Sequence, residues 1–293
     1  MVRYLDAIDP EAAQRARERY SCFEHFTQDS QAYGYAATAG LIESCENDVV
    51  AQLLELRRRA AQYAQYEGRM AEEAFFYAEQ NARLAKNAEE YYRAMFRGRA
   101  TSWNLRDRHM VETLGALLAY LERQTTPGKV VVWAHNSHLG DARATEMGEH
   151  GELNVSQLVR EQFGSASRLI GFTTHRGTVT AASDWDAPAE RKQVRPALRG
   201  SIEHLFHDTG ISHFVLNLRN AAVPEGLASP RLQRAIGVIY RPDTERTSPY
   251  FHARLPDQFD AVIHIDHTRA VEPLERSVRW QEGEAAETYP SGL

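Results

Sequence analysis

The feature that most constrains this chain is a change of hydrophobic period near Pro127. Before it, apolar residues recur every three or four positions; after it, they come in short β-branched runs. Ala74, Ala78, Ala82, Ala85, Ala88, Tyr92 and Met95 fall on one stripe and predict a helix over about 70–96, closed by Gly98. Val49, Leu53, Leu56 and Ala60 predict a second helix over about 48–66, with Gly68 as its stop. A third, over about 105–124, carries Met110, Leu114, Leu117, Leu118 and Leu121 and ends before Pro127 and Gly128. Helices of this length joined by short links predict a bundle or α-hairpin arm over residues 1–126.

The runs 130–134, 168–174, 178–182, 213–218, 235–240 and 261–265 predict strands over residues 127–280, several without alternation and so buried on both faces. His175, Arg176 and Gly177 between the second and third runs suit a hairpin. The other runs are separated by the helical patterns 154–163 and 201–207, which suits crossovers and a mostly parallel sheet. The fold class is therefore α/β, a helical arm followed by a sheet flanked by helices, with a polar tail over 281–293.

With 293 residues, 43% of them hydrophobic, the chain has enough apolar material for one large core or two modest ones. No run approaches the roughly 20 apolar residues of a spanning helix, so no membrane partner is expected. The N-terminus, MVRYLDAIDPEAAQRARERY, lacks the apolar run of a secretory signal, and a cytoplasmic location is the default. A net charge of −6 without a basic block argues against nucleic acid. Cys22 and Cys45 have no CxxC spacing, and the expectation is two reduced, packed thiols.

The densest polar placement follows the run 130–134: His135, Asn136, Ser137 and His138 come directly after it. The C-terminal end of a strand is where open α/β sheets bind ligands. Two nearby imidazoles there can share proton transfer and hydrogen-bond donation; the bland alternative is a pair of surface histidines. The same pair could ligate a metal, but no third ligand at a recognisable spacing accompanies it. Arg106 and Asp107 begin the third helix about 100° apart around its axis. Asp107 there serves the helix dipole, or Arg106 holds a carbonyl or oxyanion through its planar fork. Glu79 and Arg83 form an i,i+4 pair whose plain reading is a solvated salt bridge. His264 and Asp266 end the last strand and could reach a cleft, whereas the 147–151 segment reads as a loop or lid. No GxSxG elbow, Walker A sequence or GxGxxG is present.

At these residues the sequence resembles the erythromycin esterase family. The resemblance is carried by VRYLDAIDPEAA, AEQNARLAKNAEEYYR, SWNLRDRHM, KVVVWAHNSHLGDARATEMG, LIGFTTHRGTVTAA, AIGVIYRP and FDAVIHIDHTRAVEPLE. It implies a three-layer α/β/α fold and metal-independent, cofactor-free hydrolysis of a small-molecule ester or lactone, a macrolide lactone in the named members, and so a link to antibiotic response. It implies catalytic roles for His135, His138, Arg106 and Asp107, and substrate contacts from Asn136 and Glu79. Tyr63, Tyr66, Phe75, Phe76, Tyr91 and Tyr92 could wall a wide cleft, although such aromatics usually pack helices. Family members carry an earlier Gly-Glu-x-Thr-His-Gly motif whose histidine is the general base, and it is not found here; Gly148, Glu149, His150 and Gly151 do not replace it. The expectation is an incomplete chain with an exposed sheet edge and apolar surface, completed by a missing N-terminal half or an oligomer. The competing expectations are an inactive remnant, a non-catalytic partner protein, or a metal-dependent hydrolase built on His135 and His138.

Overall fold

The computed structural model describes residues 1–26, 29–64, 69–124, 129–185, 187–219, 224–245, 250–274 and 280. The expected helix stops at Gly68, Pro127 and Gly128 and the expected tail 281–293 lie outside them. The chain divides into two compact units, Met1–Val132 and Trp133–Leu293.

The first unit is helical among its described residues: α1 (Val2–Ile8), α2 (Pro10–Tyr20), α3 (Ser30–Thr38), α4 (Glu46–Arg58), α5 (Ala60–Tyr63), α6 (Arg69–Ala94) and α7 (Arg99–Gln124). Asp9 starts α2 by accepting from Ala12 N at 3.0 Å, with Pro10 in the first turn, where its missing N–H costs nothing. Asp29 starts α3, accepting from Gln31 N and Ala32 N at 3.0 and 2.9 Å. Leu5, Ala12, Ala13, Ala16, Leu53, Leu56, Tyr63, Ala78 and Ala82 form the core. The small side chains on α2 and α6 let backbones approach closely. Val111, Tyr120 and Asp107 are the buried residues of α7, while its leucines are only half-buried.

Gly34 shows how tightly α3 sits on α6: a Cβ there would lie 2.2 Å from the Tyr92 carbonyl oxygen. A backbone atom cannot swing aside. Gly34→Ala is therefore expected to lower stability by about 1–3 kcal/mol, read as a shift of the urea midpoint. Beside this contact, the fully buried Tyr33 hydroxyl donates to Glu89 Oε1 at 2.7 Å and accepts from Cys45 N at 2.8 Å. Arg93 closes the network with two bonds to the Glu89 carboxylate, at 2.7 and 2.9 Å.

The expectation of two reduced thiols is corrected. Cys22 and Cys45 are joined in a disulfide, with their Cα atoms 6.0 Å apart. The helices between them fold the chain back on itself, which no local spacing rule reports. The pairing also removes the cysteine part of the argument for a cytoplasmic location, since disulfides persist in oxidising compartments. Closing a 23-residue separation stabilises by about 3 kcal/mol on the loop-entropy account. Reduction is expected to lower the urea midpoint accordingly, and Cys22→Ala/Cys45→Ala to reproduce the shift without reductant.

The second unit carries the helices α8 (Asn136–Leu139), α9 (Glu146–Glu149), α10 (Val155–Phe163), α11 (Ile202–His207) and α12 (Leu255–Gln258). Its strands are β1 (Ile170–Thr173), β2 (Arg176–Ala181), β3 (Glu190–Val194), β4 (His213–Asn217), β5 (Arg231–Arg234), β6 (Tyr250–Ala253), β7 (Ala261–Ile265) and β8 (His267–Thr268). They form the sheets β1-β7-β4, β3-β2-β8 and β5-β6. The α/β class holds, but the pairing is mixed. β1·β7 and β2·β8 are parallel, whereas β4·β7, β2·β3 and β5·β6 are antiparallel.

Further expectations are corrected: the run 235–240 forms no strand, since β5 ends at Arg234 and the run holds only an isolated bridge at Ile239. β1 and β2 are not a hairpin: β1 takes β7 as partner and β2 takes β3, because the chain crosses between sheets where His175 N and Arg176 N both donate to Asp266 O. Residues 130–134 form no strand. Val131 and Trp133 are 86% and 82% exposed, and the edge of β1 is occupied at Phe172 by a side chain instead. A β-branched run becomes a strand only where an edge is free to pair with it. Nor are the strands of the first sheet covered on both faces. One face packs Val262 on Ile202, Phe206, Leu255 and Phe259, while Ile170, Phe172 and Val215 on the other stay exposed. Among the described residues no helix is long and apolar enough to cross a membrane.

Candidate functional site

The loop predicted to carry chemistry is held from several sides. His135 is the N-cap of α8: its Nδ1 accepts from Ser137 N at 3.2 Å and meets Ser137 Oγ at 2.9 Å. Its other nitrogen faces the Ile236 carbonyl oxygen at 2.7 Å and must carry the proton to donate there. These contacts fix the Nε2–H tautomer and engage both ring nitrogens. Desolvation holds the imidazole below the ordinary histidine pKa, the bond to Ile236 O opposes this, and nearby His138 lowers it further. His138 lies half-buried in α8.

Asn136 grips the edge of β1 with both ends of its amide, donating to Phe172 O at 2.6 Å and accepting from Phe172 N at 3.1 Å. In this way a side chain does what a neighbouring strand would do. Asn154, the N-cap of α10, accepts from Gln157 N at 3.0 Å and donates to Ser137 O at 2.9 Å and to Gly140 O. The His-Asn-Ser-His turn is thus anchored on a strand and a helix, so its imidazoles keep their positions.

The remaining predicted residues belong to the first unit. Arg106 is exposed and its guanidinium lies 4.8 Å from the Trp103 ring centroid, whereas Asp107, one position on, is fully buried. The two side chains diverge as the helical rotation requires. Glu79 pairs with Arg57 of α4 at 2.8 Å and more loosely with Arg83 at 3.8 Å, so its nearest partner is on another helix. Tyr63 is buried in the helical core, Phe76 stacks on Tyr120 with ring centroids 4.4 Å apart, and Tyr66 lies outside the described residues.

A second polar centre escaped the sequence reading except at Asp266 and His264. A cavity of about 760 Å³ is lined by His175, His204 and His207 together with Arg195, Arg199 and Tyr250. The available signal was His204 and His207 three apart in the 201–207 helical pattern, but nothing local connects them to His175 or Asp266.

Arg234 underlies this centre. Its buried guanidinium pairs with Glu245 at 2.7 Å and donates to the carbonyls of Thr174, His175 and Arg195 at 2.5, 2.8 and 2.8 Å. Glu245 also accepts from the Tyr240 hydroxyl.

A profile of the erythromycin esterase family matches residues 1–268. Among solved structures, a Bacillus cereus protein superposes with a TM-score of 0.74 at 18% identity, over 92% of this chain and 62% of its own. A succinoglycan biosynthesis protein gives a TM-score of 0.68 at 18% identity, over 92% and 60%. A histidine-to-asparagine mutant of the erythromycin esterase EreC, in its open conformation, gives 0.61 at 17% identity, over 91% and 64%. The chain spans less than two thirds of the length of each of these proteins, and at such identities the likeness establishes the fold. With the profile matched over most of its length, this chain belongs to the erythromycin esterase family.

Proposed function

We propose that the chain takes part in hydrolysis of a small-molecule carboxylic ester or lactone, by water attack that its histidines assist. The observation carrying this reading is the His135-Asn136-Ser137-His138 turn, pinned to β1 and α10 in a member of the erythromycin esterase family. Water attack on an ester needs a proton acceptor, donors for the developing oxyanion, and a proton for the leaving alkoxide. The first role falls, in the family, to the histidine of the Gly-Glu-x-Thr-His-Gly motif, which is not among these 293 residues; in this chain His135, neutral with Nδ1 unprotonated, substitutes for it in part, at a rate lower by about 10²–10⁴-fold. His135 and His138 supply the second and third. The Nε2–H of His135 already donates to a carbonyl oxygen, so it has the polarity an oxyanion requires. On the family resemblance, Arg106 stabilises negative charge and Asp107 orients a histidine or arginine. Asn136 acts by fixing the turn, and Glu79 contributes least, since Arg57 engages it.

The metal-dependent alternative on His135 and His138 has less support, because among the described residues no third His, Cys, Asp or Glu completes a ligand set with them. A macrolide lactone, and with it a part in antibiotic resistance, is the substrate that family membership suggests. The test is hydrolysis of a p-nitrophenyl ester and of a macrolide lactone by the purified chain. The reading predicts a rate above buffer that falls in His135→Ala and His138→Ala; equal rates in the variants would remove it.

A further inference from the structure

β1 and β7 run parallel, so their C-terminal ends emerge at one side of the sheet and deliver His175 and Asp266 together. Asp266 O accepts from His175 N at 3.2 Å and from Arg176 N at 3.0 Å, fixing the two residues to each other through the backbone. α11 adds His207, whose Nδ1 lies 2.7 Å from Asp266 Oδ1 and whose ring stacks on that of His175 at 3.7 Å, 5° from parallel. One ligand atom from each of the three residues lies within 4.8 Å of the others. His175 is 6% exposed, and its Nδ1 is buried without a hydrogen-bond partner. A buried ring nitrogen without a partner is an unmet position, and with its lone pair on Nδ1 it is free to take a ligand.

We propose that His175, His207 and Asp266 form a binding site for one divalent transition-metal ion of the zinc class. Two imidazole nitrogens and a carboxylate oxygen suit Zn²⁺, Co²⁺ or Ni²⁺, whereas Mg²⁺ and Ca²⁺ demand oxygen alone. Tetrahedral zinc with ligand bonds of about 2.0–2.1 Å sets its ligand atoms about 3.3 Å apart. The three groups therefore have to close by at most about 1.5 Å, within reach of imidazole rotation that opens the stack. Both histidines line the 760 Å³ cavity, which leaves the fourth coordination position facing that space. Three protein ligands with one position open is the pattern of reactive rather than purely structural zinc sites. Arg195 and Arg199 also line that space, beside the acidic Asp208 and Glu245. The site shares no residue with the His135 turn.

The test is titration of the full, chelator-stripped chain with Co²⁺, followed by its visible d–d absorption, and with Zn²⁺ in equilibrium dialysis. The expected result is saturation near one ion per chain. Affinity is expected to fall about 100-fold or more in His207→Ala and in Asp266→Asn, and to stay unchanged in His138→Ala and His213→Ala. His207 is half-exposed on α11, so His207→Ala decides the matter even if Asp266→Asn fails to fold. Binding far below one ion per chain, native affinity in His207→Ala, or loss of binding in His138→Ala would each overturn the proposal.

Discussion

Arg234→Met is expected to cost about 3–5 kcal/mol of stability, a large share of the roughly 5–15 kcal/mol that holds a domain folded. The guanidinium is 2% exposed, as is its partner Glu245, and three backbone carbonyls share its remaining donors. Removing it strands a buried carboxylate that, among the described residues, is left with the Tyr240 hydroxyl as its hydrogen-bond donor. The cost comes from that uncompensated charge more than from the lost ion pair, and a double-mutant cycle separates the two. Arg234→Met/Glu245→Leu is expected to be more stable than Arg234→Met alone, because the second change removes the orphaned charge. A urea midpoint for Arg234→Met within about 1 kcal/mol of native, at unchanged slope, would show that the network carries little.

The second large effect is on turnover. His135→Ala and His138→Ala are each expected to reduce kcat/KM for ester hydrolysis by about 10²–10⁴-fold, the range for losing a positioned acid–base group. They differ in one respect: His135 also caps α8, so only its loss removes a helix-start bond, worth about 0.5–2 kcal/mol. The pH response follows from the same contact. With its folded pKa held below the ordinary histidine value, His135 keeps Nδ1 as an acceptor at neutral pH. Its stabilising contribution is complete above pH 6.5 and is lost as pH falls through the lower folded pKa. Activity is expected to decline on that same acid side, and His135→Ala to remove that limb from the profile.

Much of the scaffold was legible because its signals are local. The three- and four-residue spacing of alanines located α6 to within a turn, and the apolar, β-branched run 261–265 located β7 residue for residue. β3 was missed for an opposite reason: Glu190, Arg191, Lys192 and Gln193 give no apolar pattern, and Lys192 is buried by reaching Ser183 Oγ at 2.8 Å. The run 130–134 has the strongest β signature and makes no strand, because pairing depends on an available edge and composition does not report one. The His135 turn was visible as four polar residues in sequence. The His175, His207 and Asp266 cluster was not, since its members come from three segments that meet only through the parallel pairing of β1 with β7 and the packing of α11. The disulfide belongs to the same class of long-range facts.

The most direct test of the central claim is a single-turnover time course with enzyme in excess over a p-nitrophenyl ester. It compares the native chain with His135→Ala/His138→Ala in chelator-treated buffer, after both are shown to be folded. The account predicts hydrolysis above the buffer rate by the native chain and a return to the buffer rate in the double variant. A native chain no faster than buffer, or a double variant as fast as native, would contradict it.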